Sequence, residues 1–358
     1  MVPEKMMALV CDGVDQYGLK EVDTPKIIND DDVIGRVTLA AICTSDIHYI
    51  KGEIQGNVQF PRIMGHEFCI EVVEVGPAVT SVKVGDRCAC RAGASCGECM
   101  YCKMGLPMGC VNGGIFGNIG VLDGCHAEYI RIPFANNFEQ LIPIPDGLTE
   151  EDVIMLPDML ATAWFGIQNA NLKEGETVAV VGCGPVGQCE CLLAKKYFKA
   201  SKVIAIDVLS DRAQLAVDSG VADVALNPLK DDMEAGVKGA VGPLGVNVAL
   251  DTAGTDESIG LCAAIVGPMG RLSTIAIFEK PNLILPITPL TVKDVKFTFG
   301  VQHTEGMKEM MKGIQDGTID THFMLTHKAP LNDIMKGYDV FGRKADGCIK
   351  WLITPYER

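Results

Sequence analysis

The chain has 358 residues, 48% hydrophobic and 22% charged, which suits a globular protein of two domains. A formal net charge of −15 argues against a phosphate-backbone partner, so no nucleic acid is expected. The longest apolar runs fall far short of a membrane span, so no membrane is expected either. The opening MVPEKMMALV lacks the pattern of a secretory signal, which makes the reducing cytoplasm the expected location. The 15 cysteines then do not read as a disulfide framework. Four stand at metal spacing, one has a catalytic setting, and ten read as small buried hydrophobes.

Residues 1 to about 155 read as an all-β domain. Strand-like runs such as DVIGRVTLAAIC and FCIEVVEVG alternate with Gly, Pro, Asn and Asp turns. The first run leads into Cys43-Thr44-Ser45-Asp46-Ile47-His48, and Gly65-His66-Glu67 precedes the second. The phrase VGDRC (84–88) turns into another strand, and Glu128-Tyr129-Ile130 marks one more. In a Gly-rich loop lies Cys96-x2-Cys99-x2-Cys102-x7-Cys110. In the stretch Asn112-Gly113-Gly114-Ile115-Phe116 the glycines are expected to leave room for substrate. Asp158 follows in LPDMLATAW.

From about Leu172 to Gly300, strand and helix patterns alternate. The apolar run Thr177 to Val181 ends in the turn Gly182-Cys183-Gly184-Pro185-Val186-Gly187. A helix over Pro185 to Phe198 and a second apolar run, Lys202 to Ile206, come next. VNVALD (246–251) and GRLSTIAIF (270–278) predict further parallel strands, with a helix from Asp256 to Val266 between them. Beyond Val301 the pattern predicts a helix from Glu305 to Asp316 and a strand in THFMLTHKAPL. A helix near Asn332–Phe341 and a last strand in CIKWLI follow. The simplest architecture inserts a nucleotide domain, 161–300, between two parts of a catalytic domain, 1–160 and 301–358. The active site is then expected in the cleft between domains.

The glycine turn is G-x-G-x-x-G between strand and helix. Gly182 allows the tight turn, Gly184 lets backbone approach a pyrophosphate, and Gly187 lets helix and strand pack closely. Pro185 sits where a missing N–H costs nothing. The helix start, Val186 included, offers free N–H groups to the phosphates. Asp207 closes the second strand 20 residues after Gly187. A carboxylate there accepts from ribose hydroxyls and repels a 2′-phosphate, which favours NAD over NADP. The nearby Arg212 would stack on adenine or stand in solvent.

Four cysteines within fifteen residues fit a closed tetrahedral zinc site that staples a loop. An iron–sulfur cluster uses different spacing. Cys43, His66 and Asp158 are individually weak, reading as a core thiol, a structural histidine and a helix cap. Together they carry two negative charges, neutralise Zn²⁺ and leave one position open for an alcohol oxygen. A metal there lowers the alcohol's pKa and so eases hydride transfer to nicotinamide. Glu67 can orient His66 or coordinate the metal itself. Ser45 and His48 form a route for the proton towards solvent, or else make local turn hydrogen bonds.

These segments, with GHEFCIEVVEVG (65–76), VGDR, DGCHAEYI and the terminal LTHKAPLNDIMKGYDVFGRKADGCIKWLI, resemble the zinc-dependent medium-chain dehydrogenase/reductase family over nearly the whole chain. The resemblance implies an α/β architecture: a GroES-like β-rich catalytic domain plus a Rossmann domain with a doubly wound parallel sheet. It also implies one catalytic zinc, one structural zinc, and a homo-oligomer, tetramer over dimer. Asp158 as third ligand looks like the secondary-alcohol dehydrogenase branch. Glutathione-independent formaldehyde dehydrogenases are the nearest rival, with polyol dehydrogenases of the same family behind them. The implied partner is a small-molecule alcohol or carbonyl substrate. A nucleotide-sensing protein that kept the fold is the non-enzymatic alternative, and the complete set of Cys43, Ser45, His66 and Asp158 speaks against it.

Overall fold

The computed structural model describes residues 2–54, 59–277, 282–302 and 306–356. The chain divides into two units, Met1–Asp158 with Met324–Arg358, and Met159–Phe323.

The first unit is built on a seven-stranded sheet. Its strands lie in the order Leu141–Pro143, Arg87–Cys90, Glu67–Val75, Val33–Ala41, Trp351–Thr354 and His327–Pro330. Tyr129–Ile132 also pairs with Val33–Ala41. All pairings are antiparallel except the last, between Trp351–Thr354 and His327–Pro330. Val33, Val37, Phe68, Ile70, Ile132, Trp351 and Ile353 are buried in one core. Within it the Phe68 and Phe116 rings meet edge to face, 5.4 Å between centroids, a geometry that aromatic quadrupoles favour.

Register decides what lies at one end of this sheet. Ala41 pairs with Glu67, and Leu352 pairs with Ala41. Three chain segments therefore arrive together. Cys43 lies two residues beyond its strand, His66 one residue before its own, and Lys350 one residue before the C-terminal strand.

Short helices punctuate the β-rich region, so residues 1–155 are not all-β as the strand pattern predicts. Thr44–Ile50, Met100–Lys103 and Glu150–Val153 are helical. Each is only one or two turns long, too short for a 3.6-residue periodicity to show.

The second unit carries a six-stranded parallel sheet in the order Val224–Leu226, Lys202–Ile206, Thr177–Val181, Val246–Asp251, Val266–Thr274, Lys296–Phe299. Numbered along the sequence this is 3-2-1-4-5-6, the doubly wound order. The central strands TVAVV and KVIAI are buried beyond their first residue. A sheet covered on both faces requires such continuous apolar runs.

Four details depart from the sequence pattern. The helix after the glycine turn is α-helical over Pro185–Leu192 and continues as a π-turn over Leu193–Tyr197. The strand expected over 270–278 spans Val266–Thr274, and Phe278 lies outside the described residues. The helix expected from Glu305 is observed at Met307–Gln315, with Glu305 itself outside the described residues. Residues 301–323, which the change of pattern groups with the catalytic domain, belong to the second unit; the chain returns to the first at Met324. Met307, Met310, Met311 and Ile314 make the buried face of that helix. No described helix is long and apolar enough to cross a membrane.

Candidate metal centre and dinucleotide loop

The end of the seven-stranded sheet collects four donors. One ligand atom each from Cys43, His66, Glu67 and Asp158 lies within 4.8 Å of the others, and all four residues are buried. The register supplies Cys43, His66 and Glu67. Asp158 comes from a π-turn, Leu156–Leu160, that follows the helix Glu150–Val153. Such turns often re-aim a side chain at a functional site. Asp158 Oδ2 stands 3.3 Å from His66 Nε2. Ser45 Oγ is 3.3 Å from both Cys43 Sγ and His66 Nε2.

Two side chains that the sequence reading does not single out complete the centre. Asp46 Oδ2 accepts the Cys43 N–H at 2.9 Å and so fixes the start of the helix Thr44–Ile50. Its Oδ1 sits 3.2 Å from His66 Nδ1, an ion-pair distance without hydrogen-bond alignment. The second is Lys350, fully buried, whose ammonium is 2.5 Å from Glu67 Oε1. A lysine inside the apolar terminal run CIKWLI was the signal for it.

Electrostatics explain what this pocket needs. Burial pushes the Cys43 thiol up, away from the thiolate. Burial likewise raises Glu67 to about 7, against the pull of Lys350. It also opposes ionisation of Asp158, but the His66 hydrogen bond and charge win and hold that carboxyl low. For His66 burial works against the charge, yet Asp46, Cys43 and Asp158 outweigh it and push the imidazole well up. Glu67 Oε2 is buried with no hydrogen-bond partner. Crowded anionic donors with an orphaned oxygen are costly by themselves. A divalent cation among them reverses that cost, and the S/N/O donor set is one zinc accepts.

His48 is not drawn into this cluster. Its Nδ1 pairs with Glu53 Oε2 at 2.7 Å, and its side chain is 14% exposed. It lies three residues after Ser45, on the same side of the helix.

The second donor group is Cys96, Cys99, Cys102 and Cys110, again within 4.8 Å of one another. Cys99 Sγ is 3.5 Å from Cys102 Sγ and 4.0 Å from Cys110 Sγ. These bracket the edge of about 3.8 Å that zinc–sulfur bonds of about 2.3 Å give a tetrahedron. Burial opposes the Cys96 thiolate, but backbone N–H groups of Glu98 and Cys99 and the Asn112 amide bring it down to about 6. The ten other cysteines are all buried free thiols, as their scatter predicts. The expectation of room at Gly113 and Gly114 is overturned. A Cβ on Gly113 would meet Ala94 O at 1.9 Å, and one on Gly114 would meet Ile119 O at 2.3 Å. These glycines exist for close backbone packing, and Phe116 is wholly buried.

In the second unit the glycine turn joins the strand Thr177–Val181 to the helix Pro185–Leu192, with Gly184 as N-cap and Pro185 at the first helical position. A Cβ on Gly187 would stand 1.8 Å from Gly182 O, so no other residue fits there. Around Gly184 only Arg212 Nη1 comes within 4 Å of where a Cβ would be, at 3.7 Å. Space is therefore left beside Gly184 at the helix start. Asp207 Oδ2 accepts the Cys183 N–H and Oδ1 the Leu209 N–H, both at 2.7 Å. The carboxylate is thus pinned at the C-terminal end of its strand, beside the turn.

Comparison with known proteins follows the two units. Residues 29–146 match the family model of the alcohol dehydrogenase GroES-like domain, and 185–316 that of zinc-binding dehydrogenase. An uncharacterized zinc-type alcohol dehydrogenase-like protein, AdhB of Bacillus subtilis strain 168, is 31% identical over 98% of this chain and 100% of its own. Among solved structures, the alcohol dehydrogenase TADH from Thermus sp. ATN1 superposes with a TM-score of 0.89. It is 30% identical and covers 98% of this chain and 99% of that one. A putative zinc-binding dehydrogenase from Sinorhizobium meliloti 1021, bound to NADP, gives 0.88 at 25% identity, covering 99% of this chain and 100% of that one.

Proposed function

The chain belongs to the zinc-dependent medium-chain dehydrogenase/reductase family, among its alcohol dehydrogenases, and on that premise we propose that it interconverts a secondary alcohol and its ketone with NAD(H). The observation that carries this reading is the convergence of Cys43, His66 and Asp158, with Glu67, on one buried point. Cys43, His66 and Asp158 would hold the catalytic zinc, with Glu67 beside it, and the four cysteines of the 96–110 loop would hold the structural one. Bound zinc supplies a Lewis acid that lowers an alcohol's pKa and polarises a carbonyl.

The chain's own groups do the remainder. Asp46 orients His66 from the side away from Asp158. The Ser45 hydroxyl, within reach of both Cys43 and His66, takes up the substrate's hydroxyl proton. His48 would pass that proton outward, one turn further along the helix; Glu53 holds its Nδ1 and leaves Nε2 for the transfer. Gly182, Gly184, Pro185, Val186 and Gly187 would cradle the pyrophosphate, and Arg212 would flank the adenosine side. Asp207 would accept the ribose hydroxyls, which supports NAD, although a structural neighbour holds NADP. The dinucleotide belongs in this reading to residues 161–300, and the metals to the GroES-like part. The ten free thiols outside the two donor groups fit a cytoplasmic protein, and we place it as a homo-oligomer, tetramer over dimer.

Reduction of NAD by the purified protein, followed with 2-propanol and 2,3-butanediol against polyols and formaldehyde, tests the reading. Turnover of the secondary alcohols is expected. Turnover confined to formaldehyde or to polyols would overturn the substrate assignment.

A further inference from the structure

The two oxygens of Glu67 have different fates. Oε1 takes the Lys350 ammonium. Oε2 has no hydrogen-bond partner, and Glu67 stands in the same donor group as Cys43, His66 and Asp158. If Glu67 turned onto the metal as a fourth protein ligand, the position a substrate oxygen needs would close. We propose that Lys350 is a positioning residue that restrains Glu67 from the metal and so keeps the centre three-liganded. This rests on the reading of Cys43, His66 and Asp158 as a zinc site.

Position, burial and charge support it. Lys350 is held by rigid backbone: its carbonyl accepts from the His327 N–H at 3.1 Å and the Thr326 hydroxyl at 3.2 Å, and the next residues enter the sheet. Both partners of the ion pair have wholly buried side chains, so no solvent competes for either. The Phe341 ring lies 6.0 Å from the ammonium, adding a weak hold. A dication offsets the Cys43 thiolate and Asp158, and Lys350 offsets Glu67, which leaves the Asp46 carboxylate, on the far side of His66, as the one uncompensated charge. Without the lysine, Glu67 would be a buried anion whose nearest cation is the metal.

The test uses zinc-loaded full-length protein. Lys350→Met, Lys350→Arg, Glu67→Gln and the double variant Lys350→Met/Glu67→Gln are compared with wild type. Zinc loss to a chelator, the visible spectrum after cobalt substitution, and kcat are read. Lys350→Met is expected to release the active-centre metal about tenfold more slowly, within the range that outer-shell changes produce. Its cobalt spectrum should shift and its kcat fall. Lys350→Arg should keep wild-type release. In the Glu67→Gln background, Lys350→Met should change neither release nor spectrum. Wild-type release and spectrum in Lys350→Met would overturn the proposal. Should that variant fail to fold, a lysine effect that persists in the Glu67→Gln background would overturn it instead. A zinc content that Cys43→Ser leaves unchanged would reject the underlying site reading, a different failure.

Discussion

At Cys43 and Glu67 burial works against the charged forms, while the His66 contact holds Asp158 ionised in the same small volume. That tension has a direct consequence for substitution. Asp158→Ala should lose the active-centre zinc and lower kcat by more than about a hundredfold, the upper end of what outer-shell changes cost. Dinucleotide affinity, measured by fluorescence titration, should remain, because the glycine turn is built by other residues. Normal turnover in that variant would reject the ligand set. Asp207 allows a second prediction. Removing its charge by Asp207→Ser forfeits a charge-assisted hydrogen bond of about 1.5–3 kcal/mol. The NADP-to-NAD preference, as a ratio of kcat/KM values, should move towards NADP by about tenfold or more. An unchanged ratio would defeat the ribose assignment. Because Asp207 also holds the Cys183 and Leu209 N–H groups, the KM for NAD should rise as well.

The helix Pro185–Leu192 carries the turn on one end and an unusual residue in its middle. Glu190 is fully buried, and neither of its carboxylate oxygens has a hydrogen-bond partner. Burial first, then the neighbouring Asp251 and Cys183, push its pKa well up. Folded chains therefore bind a proton that unfolded chains release above about pH 4.5. Stability from this group is complete below that pH and is lost as pH rises towards the folded pKa. Glu190→Gln keeps the shape without the charge. It should melt higher than wild type near pH 8, and the gap should shrink towards pH 5. A gap independent of pH would contradict this account. At the turn itself, Gly187→Ala would drive a Cβ into the Gly182 carbonyl. Both melting temperature and NAD affinity should fall, at a packing cost of about 1–3 kcal/mol or more; wild-type NAD affinity in a folded variant would contradict the close packing.

The same elements show what the sequence could and could not announce. TVAVV and KVIAI are legible as strands because a sheet covered on both faces demands unbroken apolar runs. The four-cysteine spacing is legible because its ligands are local. Thr44–Ile50 is too short to carry a period, and the π-turn at Asp158 has no composition signature. Lys350 stands out as a lysine in an apolar run, but its partner is not legible: Glu67 lies 283 residues away, and only the register of the C-terminal strand joins them. Gly113 and Gly114 mislead because a glycine signals close packing and open space alike.

For the molecule as a whole, the sheet orders and the two clusters of donors lead to one statement. On the proposed function, the chain holds two metal ions in different ways, one saturated by thiolates and one left with a free corner; the two donor groups support it. Zinc analysis of the purified protein and of Cys43→Ser tests that most directly. About two zinc ions per chain are expected in the wild type. Cys43→Ser should retain only the ion of the cysteine loop, with NAD binding intact. An equal zinc content in the two proteins would contradict the catalytic centre at Cys43, His66 and Asp158.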